Sequence, residues 1–100
     1  MTCVTPEELL FHDVPDKSKW LAVLQPQPSR CWDDTITYCG WRHVPSVYVV
    51  AKQDKLLPAA LQTQMAQMTG SEIREIDAGH LLMLVRPNEV ADIIKAAAQE

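Results

Sequence analysis

The chain has 100 residues, of which 47% are hydrophobic, and this content indicates one small folded domain rather than a disordered chain. A formal net charge of −4, with only nine basic residues scattered along the chain, argues against a general binder of nucleic acids or anionic membranes. No apolar run approaches the ~20 residues that cross a bilayer, and residues 1–8 lack the basic and apolar parts of a secretory signal.

The first half of the sequence predicts short helices that are interrupted by prolines. Residues 5–8 have the pattern of a helix start, with a capping threonine, a proline at the first helical position and a glutamate three residues after the cap. Pro15 ends this helix, and a second helix is expected over residues 16–24. Residues 25–34 predict a polar loop, and residues 35–38 predict a short strand.

From residue 44 onward the pattern becomes strand, helix, strand and helix. Residues 46–51 form an apolar, β-branched run that is typical of a parallel strand buried on both faces. A helix is expected over residues 58–69, a second strand over residues 71–76, and a last helix from Pro87. A crossover of about twenty residues between the strands predicts a parallel pair with a right-handed connection.

Both predicted helices of this half carry apolar side chains on one face. Leu61, Met65 and Met68 share a face that is expected to fill the core. The last helix has apolar residues spaced i, i+3, i+4 and i+7, namely Val90, Ile93, Ile94 and Ala97. Two parallel strands alone leave an open edge and apolar faces. We therefore expect self-association or a complementing chain.

A carboxylate and an imidazole follow the two predicted strands. Asp54 lies three residues past the run that ends at Ala51, and His80 lies four residues past Ile76. Functional groups gather beyond the C-terminal ends of parallel strands, and neighbouring strands are about 4.8 Å apart, so the two side chains could meet. A carboxylate that orients an imidazole is the base half of nucleophilic acyl-transfer catalysis. The alternative is a surface aspartate in a turn and a structural histidine.

The segments around these residues resemble the C-terminal third of the α/β-hydrolases. The matching segments are residues 44–50, Gln53-Asp54-Lys55 with Pro58 and Gln62, and Asp77-Ala78-Gly79-His80-Leu81-Leu82-Met83-Leu84 with Pro87. They are most similar to the plant methylesterase and hydroxynitrile-lyase branch and its fungal and bacterial relatives. The resemblance extends from about Pro6 to the end of the chain. It implies an α/β fold, in which residues 44–100 form the C-terminal βαβα part of the core and residues 1–43 a lid remnant.

The resemblance also implies roles for individual residues. Asp54 matches the triad acid and His80 the triad base, in the order that this family has along the chain. The nucleophile and the oxyanion-hole glycines would lie upstream, since the sequence contains no Gly-x-Ser-x-Gly motif. Asp77 is a weaker candidate for the acid because it is so near His80 along the chain. Leu81 stands where hydroxynitrile lyases carry a lysine, which favours the esterase side of the branch.

The cysteines and the remaining histidines predict neither a metal site nor a cofactor. Cys3, Cys31 and Cys39 are odd in number and have no zinc-ligand spacing, which indicates reduced thiols in a cytoplasmic protein. His12 and His43 have no carboxylate or cysteine at ligand spacing.

The leading hypothesis is the C-terminal segment of a cytoplasmic esterase-type hydrolase with a small-molecule ester substrate, inactive by itself. A second hypothesis is a non-catalytic remnant that binds a ligand or a partner protein through its lid residues. A third is a standalone βαβ interaction module, whose open sheet edge would be buried by self-association. Trp32 and Trp41 could line an acyl or aromatic pocket beneath a lid, although packing is the simpler role for each.

Overall fold

A computed structural model describes residues 6–99, apart from the side chains of Pro6 and Cys31. Within that range the helices and strands follow one another as α1 (Pro6–Leu9), α2 (Lys17–Leu21), β1 (Val47–Ala51), α3 (Ala59–Met68), β2 (Glu72–Ile76), α4 (Leu82–Val85) and α5 (Pro87–Ala98). Two 3-10 turns, Arg30–Asp33 and Gly40–Arg42, precede β1. None of the helices between residues 6 and 99 combines the length and apolar character needed to cross a bilayer.

The centre of the fold is a parallel two-stranded sheet with α3 as the connection. The strands pair from Val47 opposite Glu72 to Ala51 opposite Ile76. The C-terminal ends of both strands are buried, at Val50, Ala51 and Ile76, and α3 packs against both strands. The predicted α/β architecture, with parallel strands joined by a helix, is therefore confirmed.

The structure corrects three predictions for the first half of the chain. Residues 35–38 do not form a strand, and Ile36 and Tyr38 are exposed. An extended segment without a neighbouring strand leaves its backbone groups unpaired, and the Tyr38 ring instead stacks on His43 with centroids 5.2 Å apart. The second helix ends at Leu21 rather than at residue 24, and part of the predicted 25–34 loop is a 3-10 turn. The predicted helix cap at Thr5 lies outside the described residues.

The predicted apolar helix faces are not the buried ones. In α3 the buried residues are Gln62 and Ala66, whereas Leu61 is exposed and the exposed fraction of Met68 is 85%. No residue of α5 is buried, and Ile94 is exposed. The prediction that the face of Leu61, Met65 and Met68 fills a core is therefore wrong for Leu61 and Met68, whereas Met65 is half-buried.

The molecule exposes more surface than a compact protein of its size. Its accessible surface is 7894 Å², whereas a folded monomer of 11.3 kDa is expected to expose roughly 5,700 Å². Its Cα radius of gyration is 15.3 Å, compared with about 13 Å for a compact domain of this length. Part of this exposed surface is apolar, since large hydrophobic side chains such as those of Ile36, Met68 and Ile94 are exposed.

Candidate active site

The loops that follow β1 and β2 bring Asp54 and His80 into contact. Because Ala51 pairs with Ile76, the two strands end at the same level and both loops leave the sheet at one edge. His80 Nδ1 lies 2.8 Å from Asp54 Oδ2. The structure thus brings into contact the two residues that were predicted from the sequence to form the site.

The Asp54 carboxylate is held by the backbone of its own loop. Its Oδ1 accepts hydrogen bonds from the Leu56 and Leu57 amides, at 2.8 and 3.0 Å, in a side-chain turn that aspartate favours. Only 3% of its side chain is exposed. Burial raises the pKa of Asp54, but the hydrogen bonds from the Leu57 amide, His80 and the Leu56 amide together hold that pKa below its ordinary value. Asp54 is therefore ionised at neutral pH.

The ionised carboxylate determines which nitrogen of His80 carries the proton. A carboxylate only accepts hydrogen bonds, so Nδ1 is the donor and Nε2 of the neutral imidazole carries a free lone pair. The His80 side chain is 34% exposed, so a reacting group can reach it. This arrangement can withdraw a proton from a hydroxyl or a water at Nε2.

Gln62 connects α3 to the end of β1 and to the loop of the acid. Its Oε1 accepts the Ala51 amide at 3.0 Å, and its Nε2 donates to the carbonyl oxygens of Ala51 and Leu57 at 3.2 and 2.7 Å. The same Nε2 lies 3.4 Å from Asp54 Oδ2. In the sequence, Gln62 stood out only as one residue of the segments that resemble the family. Its position four residues beyond the proline that precedes α3 carried no sign of these bonds.

We expect Gln62→Leu to destabilise the fold by about 2–4 kcal/mol, because the buried Ala51 amide and the Leu57 carbonyl lose their partners. Urea unfolding of a completed enzyme, in which the chain is joined to the N-terminal part of a family member, measures the effect. Gln64→Leu is the matched control, since Gln64 is exposed on the same helix. Equal losses in the two variants would contradict this role of Gln62.

A segment before α2, residues 11–14, also reaches this site, and the sequence did not predict it. Phe11 and Val14 are buried, and they bracket two polar residues. His12 Nε2 donates to the Gln53 carbonyl at 2.8 Å, and Asp13 Oδ2 accepts the Gly79 amide at 2.6 Å. The one feature of the sequence that could have indicated this contact is the apolar pair Phe11 and Val14, spaced i, i+3, on either side of two adjacent polar residues.

The other candidate residues lie away from the Asp54–His80 pair. Asp77 is exposed and accepts a hydrogen bond from Gln53 Nε2 at 2.9 Å. Trp32 has an exposed fraction of 79% and is not among the residues that line the cavity described below. Cys39 is a free thiol. Across residues 6–99 the structure has no cluster of three or more histidine, cysteine, aspartate or glutamate side chains suited to a metal ion.

Trp41 does line a cavity, of about 540 Å³, at the other end of the sheet. Half of its lining residues carry a hydroxyl group, and the full set is Trp41, Ser46, Val47, Tyr48, Met65, Met68, Thr69 and Ser71. Most of these residues surround the start of the strands or the end of α3, whereas the pair follows the C-terminal ends of the strands. A five-residue strand is about 16 Å long, so the cavity and the pair are separate.

Comparison with known proteins gives two matches. The model of the alpha/beta hydrolase family matches residues 2–93. A curated relative, alpha/beta hydrolase nvfD of Aspergillus novofumigatus, is 28% identical over 89 residues. That alignment covers 86% of this chain and 36% of the relative, so the chain spans about a third of that relative's length. No solved structure matches the chain.

Proposed function

Because the chain belongs to the α/β-hydrolase family, we propose that it is the C-terminal segment of an esterase-type hydrolase that acts on small-molecule esters. The observation that carries the proposal is the buried carboxylate of Asp54, 2.8 Å from Nδ1 of a half-exposed His80. Asp54 is the triad acid and His80 the triad base. The nucleophile and the oxyanion donors come from a complementing segment, because the sequence has no Gly-x-Ser-x-Gly motif.

The proposed reaction uses the pair as a proton carrier. Nε2 of His80 takes the proton of the nucleophilic hydroxyl as its oxygen attacks the ester carbonyl, and Asp54 stabilises the imidazolium that forms. The imidazolium then returns the proton to the departing alkoxide. In the second half, His80 takes a proton from the water that attacks the acyl-enzyme. It then gives that proton to the oxygen of the nucleophile as the bond from this oxygen to the acyl carbon breaks and the acid product leaves.

We also propose the division of the chain into a lid remnant, residues 1–43, and a core part, residues 44–100. Support comes from the position of the sheet, since both strands follow residue 46 and only short helices and turns precede it. Leu81, in place of the lysine of hydroxynitrile lyases, supports the esterase side of the plant methylesterase and hydroxynitrile-lyase branch. The free thiol of Cys39 supports a cytoplasmic location.

The experiment that tests this function is complementation. The chain is fused to, or mixed with, the N-terminal part of a family member that carries the nucleophile, and hydrolysis of p-nitrophenyl acetate is measured. We expect turnover that depends on both parts. A correctly folded completed enzyme that hydrolyses no ester would contradict the proposed function.

The isolated chain should not react with a fluorophosphonate probe. Such probes label a serine that a base activates, and no serine hydroxyl between residues 6 and 99 forms a hydrogen bond with His80. In-gel fluorescence and intact mass measure the labelling, with the completed enzyme as the positive control. Stoichiometric labelling of any native serine (Ser18, Ser29, Ser46 or Ser71) would contradict the expectation.

The isolated chain should also not be a stable monomer. We propose that either self-association or the complementing chain covers the apolar faces that the excess surface reveals. Sedimentation at micromolar concentration should show dimers, larger species or poor solubility, whereas the completed enzyme should sediment as one compact species. A compact isolated monomer that unfolds cooperatively would exclude both forms of association.

One observation favours a second function, that of a non-catalytic binding module. The cavity beside Trp41 is large enough for a small apolar ligand and lies away from the Asp54–His80 pair. Tryptophan fluorescence during titration with small apolar esters and acids would detect binding there, and Trp41→Ala would identify the site. Binding by a completed enzyme that hydrolyses no ester would favour this function over the first.

A further inference from the structure

We propose that Asp13 is a positioning residue whose carboxylate holds the turn before His80, and so keeps the imidazole against Asp54. The inference rests on the proposed function, because it assigns Asp13 a part in the action of that pair. Asp13 touches none of the reacting groups. It acts through Gly79, the residue that precedes His80 in the chain.

The first observation is a short hydrogen bond between distant parts of the chain. The Gly79 amide donates to Asp13 Oδ2 at 2.6 Å, across a sequence separation of 66 residues. Charge-assisted hydrogen bonds of this kind are shorter and stronger than neutral ones. The bond fixes the backbone from which the His80 side chain projects.

The second observation is the close approach of residues 12 and 13 to this turn. A Cβ atom on Gly79 would lie 2.5 Å from Asp13 Oδ1 and 2.6 Å from His12 Nε2. The backbone of Gly79 is not in the left-handed region, so the contact, rather than the conformation, requires a glycine. Asp13 thus occupies the space directly against the turn.

The third observation is that the same segment is anchored on the loop of the acid. His12 donates to the Gln53 carbonyl, and the Gln53 amide donates to the Ala78 carbonyl at 3.0 Å. Phe11 and Val14 are buried on either side of the polar pair, and the Val14 amide donates to the Phe11 carbonyl at 3.1 Å. Residues 11–14 therefore connect the loop that carries Asp54 with the turn that carries His80.

Substitutions that keep or remove one oxygen of Asp13 distinguish a positioning role from general stabilisation. Asp13 Oδ1 is buried, has no hydrogen-bond partner among the described residues and lies 3.9 Å from His12 Nε2, so Oδ2 alone carries the hydrogen bond to Gly79. An asparagine at this position retains one carbonyl oxygen that can accept the Gly79 amide, whereas an alanine retains none. Asp13→Asn should therefore rescue most of what Asp13→Ala loses.

The test compares Asp13→Ala and Asp13→Asn with Asp34→Ala, a control at an exposed aspartate of the polar loop. Hydrogen exchange of the full chain should be faster at the Gly79 amide in Asp13→Ala, by about tenfold to a hundredfold. Asp13→Asn should change it by less than about tenfold, and Asp34→Ala should leave it unchanged. In the completed enzyme, Asp13→Ala should lower kcat by about tenfold to a hundredfold with KM nearly unchanged.

The outcomes distinguish this inference from the proposed function. Unchanged exchange at Gly79 in Asp13→Ala, or an equal increase at amides throughout the chain, would overturn the positioning role. Faster exchange at Gly79 together with a completed enzyme that hydrolyses no ester would support the contact and refute the proposed function. If Asp13→Ala does not fold, Gly79→Ala replaces it, since the new Cβ displaces the Asp13 carboxylate. Full kcat in a folded Gly79→Ala enzyme would also overturn the proposal.

Discussion

His80→Ala should abolish ester hydrolysis by the completed enzyme, with a loss in kcat of about 10⁴-fold or more. The imidazole both takes the proton of the nucleophile and returns it to the leaving group, and alanine can do neither. Because His80 is only half-buried and its one hydrogen bond among the described residues is to Asp54, the fold should survive the substitution.

The matched control for this loss is His43→Ala. His43 is exposed, stacks on Tyr38 and lies before the start of β1, whereas the pair follows the C-terminal ends of the strands, so its removal should leave kcat within about twofold. Initial rates with p-nitrophenyl acetate, and circular dichroism of each variant, separate lost chemistry from lost structure. Full activity in a folded His80→Ala enzyme would remove His80 from the proposed reaction.

Asp54→Asn should lower kcat by about 10³- to 10⁴-fold without unfolding the loop. The amide oxygen can still accept the Leu56 and Leu57 amides, so the loop keeps its shape. The amide nitrogen would then face Nδ1 of His80 and donate to it. That reverses the hydrogen bond, moves the imidazole proton to Nε2, and leaves no lone pair to receive a proton from the nucleophile.

Asp77→Asn is the control that ranks the two candidate acids. Asp77 accepts a hydrogen bond from Gln53 and is exposed, so its substitution should cost less than about tenfold in kcat. The pH profile of kcat/KM is measured for the unsubstituted completed enzyme, for Asp54→Asn and for Asp77→Asn. It shows whether activity still depends on the ionisation of the base. A greater loss in Asp77→Asn than in Asp54→Asn would show that Asp77 is the acid.

The contact between Asp54 and His80 could be predicted from the sequence because local features determine where each of the two residues lies. Each residue follows an apolar run, and parallel strands that pair in register must end together. The helix between the strands was equally visible, since a proline begins it and a glycine follows it. By contrast, α4 has only four apolar residues and no cap in its sequence, and nothing in the pattern distinguished it from a loop.

Two other features could not be predicted for different physical reasons. The contact of Asp13 with Gly79 joins residues far apart in the sequence, and no periodicity reports such a pairing. The helix faces of α3 and α5 could not be predicted for another reason. Periodicity indicates which face of a helix can be buried, but not whether another part of the protein covers it. Met68 and Ile94 therefore fit a core pattern and are nevertheless exposed.

The Asp54–His80 contact closes a short stretch of chain, because its partners are separated by 26 positions in the sequence. Entropy loss on loop closure grows only with the logarithm of length, and contacts of short range form early in folding. The connecting helix α3 and the strand β2 lie within that stretch, and β1 ends three residues before it begins. Acid and base therefore belong to one contiguous part of the chain, and their contact needs no strand from elsewhere in the sequence. Evolution could then exchange the nucleophile-bearing part without having to rebuild the proton-transfer pair.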